Sequence, residues 1–156
     1  PGITCGVWQS RPQSRGYVRA LSNHIKDAPS IQPNYLKETI DQHVLVQGVK
    51  ICRDLLKTSK MKKISIKETL PGENIKTDSE ILNFIKNNGA TVYHAIGSCR
   101  MGIDKDAVVD KNLKLNGVEN LRVADASIMP TMPSGNTNAA TLMIAEKASD
   151  LIKKDK

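Results

Sequence analysis

Residues 121–154 read LRVADASIMPTMPSGNTNAATLMIAEKASDLIKK. The apolar start, 121–124, fits a short buried strand, and the run of proline, serine, glycine and asparagine that follows cannot continue it. From Asn138 to Lys154 the residues are helix formers, with Leu142, Ala145, Ala148 or Ser149, and Ile152 on one stripe. Lys153 and Lys154 complement the dipole at the helix end. A long polar loop thus joins a strand to a helix, and loops held at the ends of regular elements are where chemistry concentrates.

Working outward, 107–109 is a second buried strand, and Asn116-Gly117 between the two is a turn signal. Thr77 with Glu80 forms a capping box ahead of Ile81, Leu82 and Ile85, and Gly89 is the stop, which predicts a short helix. Thr39 with Gln42 reads as another capping box. Leu45, Val49, Cys52 and Leu56 follow at helical spacing, so a helix is expected over 39–58. Residues 27–33 carry two prolines and read as an extended loop. Residues 3–9, ITCGVWQ, and 16–21, GYVRAL, read as short strands forming a hairpin or sheet rim, with the breaker run from Ser10 to Ser14 between them. No internal repeat or low-complexity block occurs.

A chain of 156 residues, 39% hydrophobic and 25% charged, has material for one compact unit and too little charge excess for global disorder. Aromatics make up 3%, so the core rests on aliphatic residues and stacking platforms for bases are scarce. The net charge of +7 is concentrated partly in Lys57, Lys60, Lys62, Lys63 and Lys67. With no aromatic interleaved and no reading module, this stretch is taken as a solvated face rather than a nucleic-acid site. Cys5, Cys52 and Cys99 are odd in number and far apart in sequence, unlike the even sets that staple secreted domains, which favours a reducing compartment and a cytoplasmic location. No run approaches the roughly 20 apolar residues of a membrane span.

Common catalytic templates fail. No G-x-G-x-x-G occurs, and Gly97-Ser98-Cys99-Arg100-Met101-Gly102 lacks the Lys and Ser/Thr that complete a phosphate loop. His24, His43 and His94 stand alone, without metal-ligand spacing, so no metal is expected. Ser134-Gly135 lacks the flanks of a nucleophile elbow. Cys99, five residues past His94, has no third orienting group and reads as a buried thiol. Two polar loops remain, 93–102 and 125–138. By composition alone, His94 fits a structural or a functional role, and Asn136 or Asn138 fits a helix cap or a ligand contact.

Taken in order, YHAIGSCRMG (93–102), AVVD (107–110) and GVENLRVADASIMPTMPSGNTNAATLMIAEKASDLI (117–152), with SRGYVRALS (14–22) and IQPNYL (31–36) upstream, resemble the C-terminal part of the glucose-methanol-choline (GMC) family of FAD-dependent oxidoreductases. The likeness covers nearly the whole chain and is strongest to choline dehydrogenase-like and alcohol dehydrogenase-like members. It implies an α+β fragment of an FAD-binding α/β flavoprotein, with residues 1–156 as the C-terminal region. The FAD-fingerprint part would lie in an N-terminal portion of the same enzyme, absent from this chain. It also implies roles. His94 matches the base that takes the proton of an alcohol substrate while its hydride passes to flavin N5. Asn136 matches the second active-site position, which is His in some members. Tyr93, Asp125, Ala126, Asn136, Thr137 and Asn138 match segments that approach the FAD. A helix starting near Asn138 would independently aim N–H groups and a positive dipole end at the flavin edge where negative charge accumulates. With Asn rather than His at 136, a single dominant rise is expected in the pH profile. The family often has Pro at Ala95 and Thr at Ser98. The alternative reading is a basic, non-catalytic interaction module built on the same scaffold.

Overall fold

In a computed structural model, which describes residues 2–65 and 67–155, the chain groups into two compact units where its length suggests one. Residues 2–16 and 32–92 make up most of the first, and residues 17–31 and 93–155 the second.

The first unit is built on α1 (Thr39–Leu56) and α2 (Asp78–Asn88). The expected capping box of α2 is present. Thr77 accepts from the Glu80 N–H at 3.3 Å, and the Glu80 carboxylate accepts from the Thr77 N–H at 2.8 Å and the Lys76 N–H at 2.9 Å. Gly89 ends the helix in an extended conformation, its N–H donating to Ile85 O. Ile81 is fully buried, and Val46 of α1 is the other buried aliphatic of this helix pair. Lys50 and Asp78 tie the two helices at 2.6 Å. Arg53 grips Glu68 through Nε and Nη2, which fastens the following loop to α1.

The start of α1 corrects the expected Thr39/Gln42 box. Glu38 is the N-cap and makes no side-chain cap bond, while Gln42 Nε2 donates to Leu36 O at 2.8 Å. The capping acceptor comes instead from a distant segment: the Ser14 hydroxyl oxygen accepts from the Glu38 N–H at 3.1 Å. In the same cluster the Asp41 carboxylate, 3% exposed, accepts from the Gln13 N–H, the Ser14 N–H and the Ser14 hydroxyl. A carboxylate in the first turn also suits the positive helix end.

Residues 3–9 form no strand. They run along α1, with Cys5 at Cys52, Val7 at Gly48 and Gln9 at Asp41. Two residues of extended chain advance roughly 6.6 Å and four residues of helix 6 Å, so Cys5 and Val7 keep pace with Cys52 and Gly48 one turn apart, while the long Gln9 side chain reaches on to Asp41, nearly two turns beyond Gly48. At the middle contact a Cβ on Gly48 would stand 2.2 Å from Val7 Cγ1. Gly48→Ala should therefore lower the melting temperature despite its better helix propensity of about 1 kcal/mol. Recovery in the Val7→Ala/Gly48→Ala double variant would confirm the contact, and a Gly48→Ala protein as stable as the parent would refute it.

In the second unit β1 (Tyr17–Arg19) pairs with β2 (Ser30–Gln32). The partner of 16–21 is thus the proline-flanked stretch read as a loop, not 3–9. The expected strands 107–109 and 121–124 reduce to single bridges, Met101 to Val109, Val109 to Leu115 and Lys114 to Arg122, and the Asn116-Gly117 turn is formed. Leu121 is exposed rather than buried. α3 (Asn138–Lys154) has the bounds its sequence predicts, but a different face is buried. Ile144 and Ala148 enter a core with Val109, Leu113, Ile128 and Met129, while Leu142 is 61% and Ile152 49% exposed. Ala148 is shared by the expected stripe and the buried one, and packing on the 3-10 turn Ala126–Ile128 brings in Ile144 in place of Leu142. Arg122 and Lys114 both pair with Asp155 beyond the end of α3. The lysines at 57, 60, 62, 63 and 67 are exposed.

Candidate functional site

The loop 93–102 is laced to the loop after residue 124. The Cys99 N–H donates to Ser127 O at 3.0 Å and the Met101 N–H to Ile128 O at 2.9 Å. Gly97 makes the close approach possible: it sits at φ +82°, and a Cβ there would lie 3.3 Å from Met129 O. Arg100 forks onto Asp104 at 2.9 and 2.6 Å, which holds the Asp104 carboxyl down to about 2. Gly102 lies beneath that fork, where a Cβ would meet Arg100 Nη1 at 2.9 Å.

On this frame His94 and Asn136, 42 residues apart in sequence, come together. His94 Nε2 lies 3.1 Å from Asn136 Oδ1. The pair is complementary in either protonation state: a protonated Nε2 donates to the amide oxygen, and a bare Nε2 accepts from the amide NH2 after a half-turn of the side chain. Asn136 is exposed and His94 half-buried. His94 Nδ1 is buried and has no hydrogen-bond partner among the described residues. The residue before it, Tyr93, is 87% exposed and takes φ +60°, a left-handed conformation that costs a bulky side chain of order 1 kcal/mol.

The remaining sequence-predicted positions lie on the same unit. Asp125 caps the 3-10 turn, its carboxylate accepting from the Ser127 N–H at 2.7 Å, and bonding to the Ser127 side chain and backbone lowers its pKa. Ala126 packs against the core. Thr137 is the N-cap of α3 and makes no side-chain cap bond, and Asn138 is the first helical residue, exposed. Neither Asn136 nor Asn138 is therefore the cap. Ser127 was not singled out from sequence, although an Asp two residues ahead of a Ser is a recognisable Asx-turn pattern. Among the described residues no group of His, Cys, Asp and Glu is placed to hold a metal ion, and no helix is long and apolar enough to cross a membrane.

The sequence profile of the GMC oxidoreductase family matches residues 12–145. An alcohol dehydrogenase (acceptor) of Pseudomonas putida is 42% identical over 151 residues, covering 97% of this chain and 27% of the relative. An oxygen-dependent choline dehydrogenase of Vibrio vulnificus is 40% identical over 153 residues, with the same coverage. The crystal structure of pyridoxine 4-oxidase from Mesorbium loti superposes with a TM-score of 0.85 at 37% identity, over 90% of this chain and 28% of that one. An FAD-dependent oxidoreductase from Chaetomium thermophilum gives 0.85 at 32% identity, over 93% and 25%. The chain thus spans about a quarter of the length of these relatives. The matches run through both loops and the helix that follows them, and by that extent the chain belongs to the GMC oxidoreductase family.

Proposed function

We propose that this chain is the C-terminal part of an FAD-dependent oxidoreductase that oxidises an alcohol, acting with an FAD-fingerprint part of the same enzyme. The observation that carries the reading is the His94–Asn136 contact at 3.1 Å at the mouth of the loop leading into α3. The residues present fit a flavin beside them. The N-cap of the 17-residue α3 leaves first-turn N–H groups without a side-chain cap, and open space surrounds the position of a Cβ on Gly135. Orphaned His94 Nδ1 adds a polar atom in want of a partner.

The chemistry that FAD supplies when bound is acceptance of the hydride from the alcohol carbon. His94 Nε2 takes the hydroxyl proton of the substrate, and the Asn136 amide orients the oxygen as its negative charge develops. The start of α3, with Thr137 and Asn138, would hold the flavin edge at its positive dipole end, and the turn shaped by Asp125 and Ala126 would approach the same group. Tyr93, exposed at the start of the same loop, would flank the cofactor.

The test is the visible absorption of the complete protein without air, before and after simple alcohols and choline. A yellow flavin spectrum that bleaches with one of them supports the reading and names the substrate direction. A protein that stays colourless after FAD is added, or a flavin that no alcohol reduces, overturns it.

A further inference from the structure

Outside the His94 region, two nucleophilic side chains meet in the first unit. Cys5 Sγ and Cys52 Sγ lie 2.7 Å apart, although 47 residues separate them in sequence. That is closer than the roughly 3.5–4.0 Å at which non-bonded carbon atoms rest. The approach is not accidental to one side chain, because the segment is held on α1 beyond it as well: Val7 fills the space above Gly48, one turn from Cys52, and the Gln9 side chain reaches Asp41. Both thiols are free, with Cys5 exposed and Cys52 half-buried.

From this juxtaposition we propose that Cys5 and Cys52 are a reversible dithiol–disulfide clasp that locks residues 2–9 onto α1 and is closed by a low-molecular-weight disulfide such as glutathione disulfide. Exposed Cys5 reacts first. Its thiolate attacks one sulfur of glutathione disulfide, the S–S bond of the reagent breaks, and one glutathione thiolate leaves. Cys52 then loses its proton to solvent and attacks Cys5 Sγ, forming the protein disulfide and expelling the second glutathione thiolate. Two protein thiols are oxidised and one disulfide is reduced to two thiols.

The order of events suits the environment of Cys52. Burial, together with the hydrogen bond and charge of neighbouring Cys5, pushes its thiol up to about 11 and keeps it unreactive toward solution reagents. Burial, the largest cause, persists when Cys5 is held in a mixed disulfide, but the hydrogen bond and charge of the Cys5 thiol are gone, and Cys52 stands beside the sulfur it must attack. The third thiol, Cys99, is half-buried in the second unit and has no cysteine beside it among the described residues.

The experiment uses the complete protein, reduced with dithiothreitol, desalted and incubated with glutathione disulfide. Remaining thiols are then alkylated, and the protein is digested without reduction for mass spectrometry. We expect the loss of two titratable thiols, a linked pair of peptides holding Cys5 and Cys52, alkylated Cys99, and return of both thiols with dithiothreitol. Cys99→Ser should lose the same two thiols, and Cys52→Ala should halt at a mixed disulfide on Cys5. Recovery of Cys5 and Cys52 both alkylated overturns the proposal, as does Cys5 retained only as its glutathione adduct in the parent or linked to another cysteine.

Discussion

His94→Ala in the complete enzyme is expected to lower kcat by about 10²–10⁴-fold, the range that loss of a positioned general base produces. The side chain is half-buried and its ring is oriented by one hydrogen bond, to Asn136. Removing it deletes the proposed proton acceptor without touching the backbone bonds from Cys99 and Met101 that hold the loop in place. Bound FAD should therefore remain, seen as an unchanged flavin spectrum at equal protein concentration. Raising the pH should recover part of the lost rate, because hydroxide then removes the substrate proton in place of the imidazole. With Asn at position 136, the parent enzyme should show one dominant rise of kcat with pH that levels off, and the variant should instead rise only with hydroxide, without levelling off. Normal turnover in His94→Ala would end the assignment of His94 as base. A colourless variant would instead show that the side chain is needed to build the cofactor site.

Asp41→Ala should be the most damaging single change in the first unit. The carboxylate is 3% exposed and accepts from the Gln13 N–H at 2.9 Å, the Ser14 N–H at 2.7 Å and the Ser14 hydroxyl at 2.6 Å. Alanine leaves these part-buried donors without their acceptor and loosens Ser14, whose hydroxyl oxygen serves the Glu38 N–H at the start of α1. The expected cost is about 3 kcal/mol, since hydrogen bonds to a charged group and the penalty for orphaned donors act together. Amide hydrogen exchange reads this locally: the amides of Gln13, Ser14 and the first turn of α1 should exchange roughly 10²-fold faster, while those of α3 keep their rate. An unchanged rate at Gln13 and Ser14 would show that the cluster contributes nothing.

The same group predicts a pH dependence. Burial raises the Asp41 pKa, but bonding from the Ser14 side chain, the Gln13 and Ser14 backbone and the Gln9 side chain outweighs it and leaves the value below the ordinary 3.8. The unfolded chain therefore takes up a proton at this position before the folded one does, and acid favours unfolding. The contribution is fully present above the unfolded pKa and is lost as pH falls below about 4 toward the folded value. Protection of the Gln13 and Ser14 amides should decline over that window in the parent protein and stay flat in Asp41→Ala.

What could be read from residues in order was whatever four or five neighbours decide among themselves. The Thr77/Glu80 box, the stop at Gly89, the Asn116-Gly117 turn and the span of α3 are encoded by caps, turn formers and helix propensity within one or two turns, and the structure has each of them. The order of the two polar loops was equally plain, and it was enough to carry the family likeness.

Tertiary structure decided the rest, because the deciding partner lay far along the chain. Thr39 had the spacing of a cap, yet Ser14 supplies the acceptor at α1 from 24 residues before Glu38, as packing allows. Helical spacing put Leu142, Ala145, Ala148 and Ile152 of α3 on one stripe, and the surface at Ile128 and Met129 took Ile144 with Ala148 instead. Residues 3–9 had strand composition, but the surface they meet is a helix, whose backbone groups are already bonded, so no ladder forms. Widely spaced cysteines gave no hint that Cys5 and Cys52 would touch, and nothing in the spacing of His94 and Asn136 sets them 3.1 Å apart. Local free energies choose elements. Which side chains meet across 42 or 47 residues is settled only when burial of the core has fixed how those elements pack.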